Sequence, residues 1–424
     1  MQGIYGGVFM RFSPAECATE TFTGNGPGGT LILGDFREKA DELTRRFAGT
    51  VQTVYLDPPF NTGKEFVFKQ RVSTEGWQKG RPVLTLPAYS DVWDNERQLL
   101  DMLRQAAELS HTLLREDGSF FLHIDSRLHA RARLMCDEIF GEKAFVNEII
   151  WAYKSGGRSQ AHFSRKHDII LFYRKTPRAY FNIAAVGVPR TNARNNHMRR
   201  GVDESGRVYR SIVTQGKEYR YYDDEEVFPG DVWEDVSHLQ QKDPQRTGYD
   251  TQKPARLLER IIACSSRPGD LVCDLFGGSG TTAAVAAQMG RRFLAVDASV
   301  SAISVMRKRM LGCAFRLEAP SGRGAPELDG CLRRGLGFME FWLDRFRLEE
   351  GLCEMDLKGN DAADQVSLGY LRGRVFYSYD NAARTKAAPA LTDSLRAPML
   401  EGTLAMSVTD VLGRRFVYAL EGEQ

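Results

Sequence analysis

Apolar positions along the chain follow two spacings. Residues 31–35 (LILGD), 50–56 (TVQTVYL), 119–124 (SFFLHI), 146–153 (VNEIIWAY) and 167–174 (HDIILFYR) are short apolar runs rich in β-branched and aromatic residues, the pattern of buried strands. Between them the apolar residues fall at helical spacing. Leu99, Leu103, Ala106, Ala107, Leu113 and Leu114 predict a helix over 96–115. Ser126 is expected to cap a second helix that carries Leu128, Leu134, Met135 and Ile139 and stops at Gly141. The pattern breaks off after residue 174 and resumes near 250. There Pro254 suits the first turn of a helix bearing Leu257, Leu258, Ile261 and Ile262. The run DLVCDLF, a glycine-rich turn, a further helix and RRFLAVD ending at Asp297 then make a βαβ unit. Strands alternating with helices predict an α/β fold with a helix-covered, mainly parallel sheet. Past Leu311 the register weakens. A Gly/Pro/Arg-rich stretch near 320–326 and an acidic stretch over 340–364 lead to strand-like runs such as RVFYSY and RRFVYAL.

The composition of the 424 residues is that of an ordinary globular protein, with 42% hydrophobic and 26% charged residues. That length suggests two or three lobes. No apolar run is long enough to span a bilayer and the N-terminus lacks a secretory pattern, so a cytoplasmic protein without a membrane partner is expected. Seven scattered cysteines, none spaced C-x-x-C, are expected to be reduced thiols. The seven histidines show no metal-binding spacing, and no metal is expected. Lys and Arg total 57 against 55 acids, so net charge names no partner, but its distribution does. From Arg174 to Tyr222 there are eleven basic residues and three acids.

Asp274–Thr282 (DLFGGSGTT) lies between a strand and a helix, where glycines let a ligand reach backbone amides and the helix N-terminus. Gly280 is followed by Thr281 and Thr282 rather than Lys, which disfavours a P-loop, and the glycine spacing does not fit a dinucleotide fingerprint. Asp297, ending the next strand, is suited to accept two ribose hydroxyls. Taken alone, the loop fits a structural turn as well as a nucleoside site. Asp57-Pro58-Pro59-Phe60 ends another strand. Its prolines remove two donors and leave carbonyls projecting beside a carboxylate and an aromatic ring. Such a cluster can stack a planar heterocycle on Phe60 and accept both N–H bonds of an exocyclic amino group. Alone, it also serves as a rigid strand-to-loop turn. Two such motifs at the carboxyl ends of one sheet make a single crevice.

With DPPF preceding FGGSGTT, the chain resembles the circularly permuted amino-group DNA methyltransferases that use S-adenosylmethionine. TQKP (Thr251 to Pro254), LGD (Leu33 to Asp35) and GRRFLAVD resemble further segments of that class. EDGSFFLHID, FGEKAFVNEIIW and KHDIILFYRK resemble the scaffold of its adenine-N6 branch, which includes the modification subunits of type III restriction systems. The resemblance implies a doubly wound Rossmann-like methyltransferase sheet with an inserted target-recognition region and a C-terminal extension. The expected parts are an N-terminal extension (1–29), a catalytic half (30–175), a target-recognition insert (176–249), a cofactor-binding half (250–312) and an extension of unassigned role (313–424). It also implies roles. Asp57 and Pro58 accept from the target amino group, beside Pro59, and Phe60 stacks on the extruded base. Asp35, Lys253, Asp274, Phe276, Gly277, Gly278, Gly280, Thr281 and Asp297 hold S-adenosylmethionine. Asp rather than Ser at position 57 favours adenine N6 over cytosine N4, while a non-catalytic subunit of a restriction complex is the alternative from another class.

The resemblance implies double-stranded DNA as partner and with it a nucleoid-associated location; a homodimer and a restriction subunit are the other partners it allows. An adenine inside a duplex has to leave the stack to reach a buried carboxylate, at a cost of roughly a few kcal/mol. Phosphate contacts offset that cost, and Arg174, Lys175, Arg190, Arg194, Arg199, Arg200, Arg207 and Arg210 of the basic segment are the residues expected to make them. A solvated basic surface is the plainer alternative. His123 and Asp125 sit near the presumed crevice, and nothing in the sequence demands catalysis of them.

Overall fold

The computed structural model describes all residues except 1–7, 10, 79, 81–82, 154–158, 190–197, 323, 350–354, 356, 393 and 422–424. Its centre is part of a fifteen-stranded sheet. The central strands run in the order Phe145–Ala152, His167–Arg174, Leu114–Ile124, Val51–Leu56, Leu271–Asp274, Arg292–Asp297, Gly29–Leu33 and Phe315–Glu318. From Leu114–Ile124 onward all of these pair in parallel, whereas His167–Arg174 runs antiparallel to both its neighbours.

Every residue of Val51–Leu56 is buried, because helices cover both faces of the sheet. Val54 and Leu56 pack with residues of the helices Phe36–Phe47, Glu96–Leu113 and His129–Phe140. Tyr55, pointing the other way, packs with the helices Ala255–Ser265, Thr281–Gln288 and Val300–Arg309. This is the doubly wound arrangement the alternating sequence pattern predicts.

One helix start differs from expectation. The helix His129–Phe140 begins after Leu128, with no side-chain cap. Ser126 lies in a turn before it, held by the Asp125 carboxylate, which accepts from the Arg127 N–H at 2.9 Å. Gly141 does end this helix, at φ 88°.

The basic segment contains a three-stranded antiparallel sheet, Arg199–Val202, Val208–Thr214 and Lys217–Tyr222. Beyond the central strands, Thr19–Phe22 pairs with Phe315–Glu318 and Val375–Ala383. The large sheet then continues through Ala363–Arg372, Thr403–Asp410, Arg415–Leu420 and Phe12–Ala15. It therefore crosses the boundaries expected at residues 29 and 313. A second sheet with Glu327–Arg334, Phe338–Arg347 and Leu395–Pro398 packs on these outer strands through a core including Phe12, Phe341, Val366, Leu368 and Phe416. Among the described residues no helix is long and apolar enough to cross a membrane, and no His/Cys/Asp/Glu group could hold a metal ion. The six described cysteines are free.

Candidate active site

Val51–Leu56 and Leu271–Asp274 are adjacent parallel strands, so the turns that follow them emerge side by side. Asp57 to Phe60 leaves one strand, and Leu275 to Gly280 leaves the other. Arg292–Asp297 and Gly29–Leu33 are next in order, which brings Asp297 and Asp35 to the same end of the sheet.

The glycine loop is closed by its own carboxylates. Asp274 Oδ1 accepts from the Phe276 N–H at 3.0 Å, and Oδ2 accepts from the Thr282 hydroxyl at 2.6 Å. Asp297 accepts from the Gly278 N–H at 2.7 Å and the Ser299 N–H at 2.8 Å. Burial pushes Asp274 up to about 7 and Asp297 up to about 6, against which those hydrogen bonds act. Gly280 has φ 73°, and a Cβ there would meet Met306 Cγ at 2.5 Å. A Cβ at Gly277 would meet Met306 Cε at 2.9 Å. The loop thus lies directly on the helix Val300–Arg309, and at Gly280 the positive φ and this closeness together call for glycine. Arg309 of that helix donates to the Ser279 carbonyl at 2.9 Å and to Thr281 Oγ1 at 3.1 Å. Phe276 meets Phe36 edge-on, with ring centroids 5.3 Å apart. Asp35 caps the helix Phe36–Phe47 and pairs with Arg37.

Lys253 joins the two motifs. Its ammonium lies 2.7 and 2.6 Å from the Asp57 carboxylate oxygens and 5.0 Å from the centroid of the Phe60 ring. Its carbonyl accepts from Thr281 Oγ1 at 3.4 Å. The side chain expected to serve the cofactor alone therefore contacts the acceptor pocket.

Several residues outside the two motifs shape that pocket, and of these the sequence places only His123 and Asp125 near it. The buried Asp91 carboxylate accepts from the backbone N–H groups of Phe60, Asn61 and Thr62 at 3.3, 2.8 and 2.9 Å, and from the Thr62 hydroxyl at 2.7 Å. Arg127 donates to the Phe60 and Asn61 carbonyls, each at 3.0 Å. The segment after the prolines is thus held from both its N–H and its C=O sides. Behind Phe60, Tyr55 OH lies 2.7 Å from His123 Nδ1, and His123 Nε2 lies 3.3 Å from Asp168. Tyr153 also donates to Asp168, at 3.1 Å. Burial opposes the charge on Asp168, but the His123 contact, the Lys253 charge and Tyr153 outweigh it and hold its pKa below the usual value. His123 is fully buried and within 5.9 Å of the Phe60 ring centroid. It packs and orients that wall of the pocket.

The expected DNA contacts divide. Arg190 and Arg194 lie outside the described residues. Arg199 and Arg200 are exposed on the three-stranded sheet. Arg207 pairs with Asp224 at 2.8 Å and Arg210 with Asp223 at 3.1 Å, so acids that directly follow the basic segment neutralise part of its charge. Arg174 and Lys175 sit at the other end of the sheet from Asp57. There Lys175 donates to the Leu114 carbonyl at 2.7 Å and Arg174 reaches the Lys143 carbonyl at 3.5 Å.

A family model described as DNA methylase matches residues 51–308, the span holding both motifs and the insert. The DNA adenine methyltransferase YhdJ of Escherichia coli K12 is 29% identical over 323 residues, covering 76% of this chain and 92% of that protein. The type II methyltransferase M.EcaI of Enterobacter cloacae is 26% identical over 302 residues, covering 60% of this chain and 64% of that one. The solved structure of the PvuII DNA methyltransferase, named as cytosine-N4-specific, aligns with a TM-score of 0.44 at 18% identity, over 70% of this chain and 90% of that one. With the family's match spanning more than half of its length, this chain belongs to the DNA methylase family.

Proposed function

We propose that the chain transfers a methyl group from S-adenosylmethionine to N6 of an adenine flipped out of double-stranded DNA. One observation carries this reading: the Asp57 to Phe60 turn and the glycine loop leave adjacent strands of one sheet and are tied together through Lys253. The donor set suits the cofactor. Asp297 ends its strand where ribose hydroxyls need acceptors, Asp35 follows the neighbouring strand at the same end on the adenine side, and the Thr281–Gln288 helix presents its N-terminus beside the glycine loop. The name of the E. coli relative supports adenine.

When bound, S-adenosylmethionine supplies an electrophilic methyl group on a sulfonium. The remaining chemistry belongs to this chain. Asp57 and the Pro58 carbonyl accept the two N6 hydrogens, which draws the nitrogen lone pair out of conjugation with the purine. Phe60 stacks on the ring and fixes its plane. As the N–C bond forms, the methyl–sulfur bond would break to leave a neutral thioether, and the Asp57 carboxylate offsets the positive charge developing on N6 until one N6 proton is released to solvent water. Arg199 and Arg200 hold the phosphate backbone, with Arg207 and Arg210 beside them. Arg174 and Lys175, at the opposite end of the sheet, take no part in this reading, and a restriction subunit or a second copy is not required by it.

The test is methylation of genomic DNA and of RNA with labelled cofactor, followed by nucleoside analysis. N6-methyldeoxyadenosine is the expected product. N4-methyldeoxycytidine or a label confined to RNA would overturn the reading.

A further inference from the structure

The chain beyond residue 313 has no assigned part in the reaction, yet it grips the helix on which the glycine loop rests. Four consecutive residues of Val300–Arg309 divide between the two jobs. Met306 packs under Gly277 and Gly280, and Arg309 binds the Ser279 carbonyl. Arg307 and Lys308 instead enter the outer strands. Arg307, 1% exposed, donates to Gln365 at 2.8 Å, Ser367 at 2.8 Å and Glu20 at 3.1 Å. Lys308 lies 2.8 and 2.7 Å from the two oxygens of Asp364, which is fully buried.

Asp364 has a second partner on the other half of the site. Its Oδ1 accepts from Gln70 Nε2 at 2.6 Å. Gln70 ends the strand Glu65–Gln70, which pairs antiparallel with Leu84–Ser90. That hairpin begins a few residues after Phe60 and returns at Asp91, whose carboxylate holds the N–H groups of Phe60, Asn61 and Thr62. Ser301 ties the same hairpin to the cofactor helix by donating to the Pro87 carbonyl at 3.1 Å. One carboxylate of the C-terminal extension therefore holds the helix beneath the cofactor loop and the far end of the hairpin whose near end fixes the target-base turn.

We propose that Asp364 is a positioning residue that couples cofactor binding to the placement of the target base, making the C-terminal extension part of the methyltransferase site. The proposal rests on the function given above. Asp364 does not reach the reacting atoms. It sets the relative position of two loops that must bring a sulfonium methyl and an amino nitrogen into line, where small displacements carry a large rate penalty. Because coupling between sites is reciprocal, bound cofactor should tighten DNA binding, and bound DNA should tighten cofactor binding by the same factor.

The experiment uses the full chain in three forms besides wild type: Gln70→Ala, Lys308→Met and the double variant. Cofactor affinity is measured by calorimetry with and without DNA, DNA affinity with and without S-adenosylhomocysteine, and single-turnover methylation at saturating cofactor and DNA. Each is normalised to the folded fraction at the assay temperature. For Gln70→Ala the expected result is unchanged cofactor affinity without DNA, loss of most of the reciprocal tightening, and single-turnover methylation slower by about tenfold. Lys308→Met should weaken cofactor binding even without DNA, and the double variant should lose no more coupling than either single one. If all three variants only lower the melting temperature, leaving affinities, coupling and turnover of the folded protein as in wild type, the proposal is overturned and the extension is a brace for stability alone. A wild-type protein that neither binds S-adenosylmethionine nor methylates DNA would instead defeat the function on which the proposal rests.

Discussion

Lys253 places its ammonium 2.6 Å from the nearer carboxylate oxygen of Asp57, although the two residues lie on opposite sides of the basic insert in sequence. The pair joins the two halves of the sheet at the point where chemistry is expected. An ion-paired carboxylate offers only acceptors, and its two oxygens have lone-pair positions left for an amino group.

Replacing Asp57 with Ala removes the acceptor and the charge that offsets the developing cation. Methylation should fall by about a hundred- to a thousandfold, the scale set by removing a strong stabiliser of transition-state charge. Cofactor affinity should stay within about threefold of wild type, since Asp274 and Asp297 close the loop without help from Asp57. Calorimetry and a labelled-methyl assay check both. Unchanged turnover would remove Asp57 from the mechanism.

Lys253→Met keeps the length of the side chain but takes the charge from beside Asp57 and Phe60. With its ionic partner gone, the half-buried carboxylate is expected to lose its fixed orientation. The maximal rate should then drop more than the Michaelis constant for DNA rises. Steady-state kinetics at saturating cofactor separate the two, and equal effects on both would argue against an orienting role.

The pH dependence follows from two raised carboxylates. Asp297, pushed up to about 6, accepts ribose hydroxyls best when ionised, so cofactor affinity should fall as pH drops through 6 and flatten in Asp297→Asn. Stability runs the other way. Between the unfolded value near 3.9 and about 7, the native state binds more protons at Asp274 than the unfolded chain does. That residue's contribution to stability is therefore fully present at low pH and lost as pH rises through 7. Urea melts of wild type and Asp274→Asn at pH 5 and pH 7.5 measure the difference, with the wild type expected to show the steeper decline.

Asp91→Ala strips the acceptor from three backbone N–H groups and one hydroxyl around Phe60 and Thr62. Each buried donor left unmet costs about 1–3 kcal/mol, although the loop can relax toward water. A lower melting temperature is expected together with a loss of methylation larger than any loss of cofactor binding. Methylation at the wild-type rate would show that the turn holds its shape without this residue.

Arg199 and Arg200 are exposed, whereas Arg207 and Arg210 are paired with Asp224 and Asp223. Removing the first two should flatten the plot of log affinity for DNA against log salt by about 0.9 for each phosphate that is no longer neutralised. Removing either of the paired two should change the slope less. A slope unaffected by the Arg199→Ala/Arg200→Ala double variant would move the DNA to another surface.

The central fold was legible because its signals are local. Apolar runs ended by Asp-Pro-Pro or by glycine marked the strands, and Leu99, Leu103 and Ala106 marked a helix face. The two motifs could be brought together from sequence because ligands of α/β sheets gather at the carboxyl ends of strands. What escaped was non-local. Asp91 holds a loop some thirty residues away, and no spacing rule distinguishes it from any other acid at the foot of a strand. His123 bridges Tyr55 and Asp168 only because three strands lie side by side. The acids Asp223 and Asp224 directly after the basic segment were legible too, but not their pairing with Arg210 and Arg207 across the small sheet. The strand character of RVFYSY and RRFVYAL was visible, but not that they extend the same sheet, since their neighbours come from the far end of the chain.

The short outer strands of the large sheet carry a last consequence. Among the described residues, one edge is the two-residue strand Val232–Trp233, and the other is the four-residue Phe12–Ala15, which includes Pro14. Neither offers a long row of unmet amide groups, and Pro14 has no N–H to give. A broad sheet that stops in this way resists annexing a strand from another molecule. Association of this chain with a second protein by strand addition is therefore disfavoured at both edges of the large sheet, which leaves the side chains of helices, loops and sheet faces and the edges of the smaller sheets for such contacts.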